Sequence, residues 1–167
     1  YMFLFLFSGC SDNFASVSFV KVESERTKLI NDIESYQSID EFKGILKGGS
    51  FQWEESGDDQ PAPKGRPPFN IHTIKIKKYS HLNYKGELII TFFNNRVTST
   101  TFYPEDIDNY IKEIINKEGL KSNNIQEEKI KTHKRVRVAK DYKGHKYVEW
   151  SDIRLDREIN LWIKRYS

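Results

Sequence analysis

Cysteine is almost missing from this sequence. Cys10 is the single cysteine in 167 residues, which excludes an internal disulfide framework and any zinc site built from several thiolates. Long apolar runs are missing too. The most sustained one, Tyr1 to Phe7, falls well short of the roughly 20 residues a membrane-spanning helix needs, so a multi-span membrane protein is excluded. A clustered excess of one charge is also absent: 27 Lys and Arg face 24 Asp and Glu, interspersed along the chain, for a net +3. A nucleic-acid partner is therefore not expected. No Gly-rich phosphate loop, Gly-x-Ser-x-Gly or His-Glu-x-x-His occurs. His72, His81, His133 and His145 are scattered. Only His133 and His145 stand where a hairpin brings them near each other, and no metal or other cofactor is expected.

What is present is enough for one folded domain. The length suits a single core, and an aromatic content of 14% argues against wholesale disorder.

The N-terminal residues carry the most specific signal. Tyr1-Met2-Phe3-Leu4-Phe5-Leu6-Phe7 is wholly apolar, and the small residues Ser8 and Gly9 then lead into Cys10, with polar Ser11-Asp12-Asn13 at once beyond. An apolar run entering a small-residue cleavage site is the end of a signal peptide, and a basic segment is expected upstream of Tyr1. Phe7-Ser8-Gly9-Cys10 resembles the lipobox of bacterial lipoproteins, with Phe7 in place of the commoner Leu. The resemblance implies cleavage between Gly9 and Cys10 by signal peptidase II and a diacylglyceryl group on the Cys10 thiol. Attached acyl chains bury CH₂ groups at about 0.8 kcal/mol each. The implied division is a partial signal peptide at 1–9, a lipidated cysteine and tether at 10–27, and a single domain at 28–167. By the same resemblance the protein sits in the bacterial cell envelope, and Ser11 after the cysteine implies an outer-membrane, periplasm-facing location in a Gram-negative cell. The competing structural expectation is an N-terminal strand ending in an unmodified core cysteine.

Along the domain, Leu29, Ile30, Ile33 and Tyr36 predict a helix over 28–36. Ser38 and Glu41 form a capping box that opens a second helix carrying Ile39, Phe42, Ile45 and Leu46, and Gly48-Gly49 ends it. Residues 51–54 read as a short strand, and the Gly/Pro-rich stretch 56–68 as an exposed loop. Three strands follow at 71–79, 87–93 and 97–103, with turns at Lys85-Gly86 and Asn94-Asn95. The second hairpin turn pairs Phe92 with Val97, Ile90 with Ser99 and Leu88 with Thr101. Pro104-Glu105-Asp106 opens a helix striped by Ile107, Tyr110, Ile111, Ile114 and Ile115 and broken at Gly119. Residues 130–140 and 146–150 make another hairpin around Tyr142 to His145. A helix over 157–165, capped by Asp156, ends the chain docked on the core. The fold class is α+β: an antiparallel sheet of two hairpin regions, packed on one side against several short helices.

Candidate sites follow from that pattern. Lys131, His133, Arg135 and Arg137 alternate along one strand face, a cationic row able to meet an acidic partner or to stay solvated. Trp53 stands beside the 56–68 loop, which carries Arg66 and is the preferred place for partner contact. The adjacent carboxylates Glu54-Glu55 and Asp58-Asp59 are placed for solubility, not for cleavage of a substrate between them. The expectation is a membrane-anchored, non-enzymatic module that binds another envelope protein or an anionic polymer. The short helices and antiparallel sheet also look like small envelope lipoproteins of the outer-membrane assembly-factor type. The alternatives are a periplasmic inhibitor or immunity protein, and a cell-wall hydrolase without a recognisable motif.

Overall fold

The computed structural model describes residues 18–57, 59–62, 64–120, 126–129 and 132–167. Gly9, Cys10, Ile130 and Lys131 lie outside them. The elements are α1 (Ile39–Gly48), β1 (Trp53–Ser56), β2 (Ile71–His81), β3 (Tyr84–Phe93), β4 (Arg96–Pro104), α2 (Ile107–Glu118), β5 (Gln126–Lys129), β6 (Lys134–Lys140), β7 (Lys146–Asp152) and α3 (Ile153–Tyr166). The strands form one seven-stranded sheet in the order β1-β2-β3-β4-β7-β6-β5, with antiparallel pairing throughout. The architecture is α+β. No helix among the described residues is long and apolar enough to cross a membrane.

Alternation decides the two faces. Ile74, Ile76, Leu88, Ile90, Phe92, Phe102, Val136, Val148 and Trp150 are buried on one face, with Phe42, Leu46, Tyr110 and Ile114 of α1 and α2 packed over them. Each such side chain contributes about 1.5–3 kcal/mol. The neighbours along each strand, among them Lys75, Ile89, Thr101, Tyr103 and Arg137, are half-buried on the other face. Helices cover both faces, contrary to the one-sided expectation. From the end of α3, Trp162 joins Phe93 and Phe19 in a second cluster, while Asp156 reaches Ser151 and Arg135 on the same face.

Local signals hold well at α1 and α2. Ser38 and Glu41 form the reciprocal capping box. Asp106 caps α2, and Gly119 ends it in the left-handed conformation at φ 65°, which glycine adopts without steric cost. Asn94 and Asn95 turn at φ 47° and 61°, as a two-residue hairpin requires.

Several expectations are corrected. Residues 28–36 are not helical: Leu29, Ile30, Ile33 and Tyr36 are all buried, but on an irregular loop closed by Leu29 N–H to Ile33 C=O at 2.9 Å and Ser35 N–H to Thr27 C=O at 2.9 Å. The turn before β3 is Leu82-Asn83, at φ 50° and 65°, while Gly86 lies within β3, where a Cβ would collide with the backbone oxygen of Tyr103. Phe92 does pair with Val97, but an irregularity between Thr91 and Phe92 shifts the register, so Ile90 pairs with Thr100 and Leu88 with Phe102. The shift places Phe102 in the core. β5 was not expected. The last helix begins at Ile153, capped by Asp152 instead of Asp156.

Candidate binding groove

β4 ends at Tyr103 and Pro104, paired with Glu87 and Gly86 near the start of β3, and the β6–β7 turn lies next to this end of the sheet. Between them is a groove of about 690 Å³ lined by Lys75, Glu87, Ile89, Tyr103, Pro104 and Ile107, and by Asp141 to Lys146 without Gly144. Ile89, Tyr103, Pro104 and Ile107 make an apolar floor. Tyr103 is steadied by Tyr147, with ring centroids 5.3 Å apart. Burial raises its phenol above the ordinary range, and the nearby Asp141 charge adds to the effect.

The rim is a preorganised turn. Asp141 Oδ1 accepts from the backbone N–H of Lys143 and of His145, each at 2.9 Å. Its own N–H donates to His145 C=O at 2.9 Å, and Gly144 supplies a φ of 85°. Burial pushes the Asp141 carboxyl up, but the backbone donors from His145 and Lys143 outweigh it and hold the carboxyl below the ordinary range. Such Asx-type bonding fixes a turn without a helix or strand around it. Its product is Tyr142, 92% exposed, with the Lys143 ammonium 5.5 Å from the ring centroid.

His145 Nδ1 stands 3.3 Å from Asp141 Oδ2, but the histidine side chain is 69% exposed, and no serine, threonine or cysteine is among the lining residues. Glu87 is engaged by Lys75 at 3.2 Å. His145 and Asp141 stand beside apolar and cationic groups, a mixture that can make both polar and apolar contacts with a ligand. Among the described residues there is no group of three or more His, Cys, Asp or Glu able to hold a metal ion.

The residues singled out by sequence do not gather in one site. Trp53 is half-buried against the main core. Arg66 is exposed on a loop fastened to the body: Trp162 Nε1 donates to Pro67 C=O at 3.1 Å, Asn94 Nδ2 to Pro68 C=O at 2.8 Å, and His72 Nε2 lies 3.0 Å from Asp59 Oδ1. The cationic row is broken up. Arg135 pairs with Asp156 at 2.9 Å and Arg137 with Glu149 at 2.7 Å, while His133 precedes β6 in a left-handed conformation at φ 53°. His133 and His145 also lie at opposite ends of the hairpin, because β6 pairs Lys134 with Asp152 and Lys140 with Lys146. Glu54 pairs with Lys77, and Glu55 with Lys43 at 2.7 Å.

The residue pattern alone marks Tyr142 to His145 only as a turn. The signal for its fixed geometry is Asp141 followed three residues on by Gly144, with Tyr142 between them. No family model, no curated protein and no solved structure matches the chain.

Proposed function

We propose that this chain is a lipid-anchored protein of the bacterial cell envelope, acylated at Cys10, that binds another envelope protein and performs no chemistry of its own. The observation that carries the reading is the polarity of the sheet. Residues 18–21 are fastened at the Asn94–Arg96 end: Arg96 donates to Phe19 C=O and to Lys21 C=O, both at 2.7 Å, and Asn94 to Phe19 C=O at 2.9 Å. The groove lies at the Glu87–Tyr103 end. The run of β3 from Phe93 back to Glu87 separates the two by about 20 Å at about 3.3 Å per residue.

A chain tethered through its N-terminal segment thus directs the groove and Tyr142 away from the membrane. The small residues Ser8 and Gly9 before Cys10 support the anchor. In a Gram-negative cell the protein would face the periplasm from the outer membrane.

The test is photo-crosslinking in the native cells, with a photoreactive residue at position 142 or, for comparison, at exposed Ile163 on α3. A discrete adduct from position 142 and none from 163 is expected. No adduct from 142, or equal adducts from both, rejects the groove as the binding surface.

A further inference from the structure

Resting on the proposed anchor at Cys10, we infer that residues 18–23, the 64–69 loop and the C-terminal half of α3 form a second membrane contact, one that lies on an anionic phospholipid bilayer. Three segments far apart in sequence meet there. Asn94 Nδ2 donates to Phe19 C=O at 2.9 Å and to Pro68 C=O at 2.8 Å. Trp162 Nε1 donates to Pro67 C=O at 3.1 Å, and the Phe19 and Tyr166 ring centroids lie 6.1 Å apart.

Tether length sets what this surface meets. Cys10 stands eight positions before Ser18, a span of at most about 29 Å even fully extended. An acylated Cys10 therefore keeps the surface around Phe19 within that distance of the bilayer. Val20, Val22 and Ile163 are 56%, 54% and 45% exposed, and the two valines flank Lys21 in the segment that the tether enters. A single exposed apolar side chain needs no explanation. Several of them beside a lipid tether gain by entering the interfacial layer of a bilayer.

Charge supports the same partner. Lys21, Lys64, Arg66, Arg157, Lys164 and Arg165 are exposed on these segments and along α3. Lys21 is matched by Glu23 at 2.9 Å, Asp59 lies 3.0 Å from His72, and Glu158 faces buried Arg96 at 2.9 Å. Lys64, Arg66, Arg157 and Lys164 have no ion-pair partner among the described residues. Glu25 is the exposed acid beside the first turn of α3, where Arg154 donates to its carbonyl at 2.9 Å. Asp40 belongs to α1, over the opposite face of the sheet. Setting Glu25 against Arg157 still leaves Lys64, Arg66 and Lys164 to meet lipid phosphates, an attraction that weakens with salt. The valines and Ile163 set the bilayer apart from a phosphate polymer, which offers no apolar layer. A tether fixes distance alone, and this second contact fixes orientation.

Vesicle co-sedimentation of the full chain as Cys10→Ser tests the surface without the acyl group. Vesicles of phosphatidylglycerol mixed with phosphatidylcholine are compared with phosphatidylcholine alone. The apolar run 1–7 is common to every variant, so differences between variants read the surface. All altered positions are exposed, and unchanged melting is checked first. Tighter binding to the phosphatidylglycerol vesicles is expected, with release by salt. Arg66→Glu combined with Lys164→Glu should weaken it about tenfold, and Val20→Ser combined with Val22→Ser should weaken it as well. Lys85→Glu, at the other end of the sheet, should leave it unchanged. Equal binding to both kinds of vesicle, or equal loss from Lys85→Glu, overturns the inference. Indifference to the valine changes also overturns it, in favour of a polyanion surface. Selective binding to phosphatidylglycerol by a chain that takes no fatty-acid label in its native cells upholds this surface and rejects the acyl anchor instead.

Discussion

The Arg96 guanidinium donates to the carbonyl of Phe19 across 2.7 Å, from a residue 77 positions further along the chain. Arg96 is 1% exposed, yet it also donates to Lys21 C=O at 2.7 Å and meets the Glu158 carboxylate at 2.9 Å. One buried cation therefore ties the N-terminal segment, β4 and α3 together. Removing it strands the Glu158 carboxylate and the Lys21 carbonyl, while the Phe19 carbonyl keeps its bond from Asn94. Arg96→Ala should lose roughly 3 kcal/mol of stability. Arg96→Lys should recover only part, because an ammonium lacks the planar fork. Urea denaturation reads both, and limited proteolysis should cut the Ala variant first around residues 18–27.

Asp152 makes the second tie. Its carboxylate is 0% exposed and accepts from Thr27 Oγ1, Ser35 Oγ and Arg154 Nη2, each at 2.7 Å. Burial pushes this carboxyl up, but the bonds from Arg154, Ser35 and Thr27 win and hold it below the ordinary range. A depressed carboxyl stabilises the fold above the unfolded value of about 3.9 and loses that contribution as pH falls through the folded value. Asp152→Asn should be less stable than wild type at neutral pH, with the gap closing in acid below about pH 4. Equal gaps at pH 7 and in acid would remove the ionised carboxylate from the explanation.

His81 works in the opposite chemical sense. It is buried among Phe102, Tyr110 and Trp150, with Nδ1 2.6 Å from the Tyr110 hydroxyl. Burial first, then the charges of Lys117 and Lys134 against the opposing Glu118, push the imidazole down to about 4. Between that value and the unfolded pKa of about 6.5 the unfolded chain binds the extra proton, so stability falls as pH drops through this window, by about 3 kcal/mol. His81→Phe should flatten the slope between pH 6.5 and 4, and a ring titration by NMR with a midpoint near 6.5 would contradict the assignment.

Two glycines should respond with opposite signs. Gly44 has nothing within 4 Å of an added Cβ and sits inside α1, so Gly44→Ala should gain about 0.5–1 kcal/mol from backbone entropy. At Gly86 the added Cβ meets the Tyr103 carbonyl and the Cα of Pro104 at 2.8 Å, so Gly86→Ala should destabilise and deform the groove floor. Thermal melting of the pair checks both.

Elements governed by neighbours in sequence were legible. The Ser38–Glu41 box, the Asn94-Asn95 turn and the α2 stripe each depend on residues a few positions apart. The segment 28–36 was not legible, because its apolar spacing fits a helix while its fate is set from far away: Ser35 and Thr27 bond to Asp152, 117 and 125 residues on. Short polar side chains of this kind compete with helical hydrogen bonds.

The register beyond Phe92 failed for a different reason, since one irregularity shifts every later pair. In the site, Arg135 and Arg137 read as a free cationic face. Glu149 opposite Arg137 was in principle derivable once the hairpin register was known, whereas Asp156 on α3 was not. The groove itself needs α2, β2 and the β6–β7 turn at one sheet end, a convergence no local pattern encodes.

The proposed anchoring of the folded module to a membrane through Cys10 is tested most directly by metabolic labelling with a clickable fatty acid. With the protein expressed from its own gene in its native cells, wild type should carry the label, and Cys10→Ser should carry none and leave the membrane fraction. Equal labelling of the two, or labelling of neither, would contradict it.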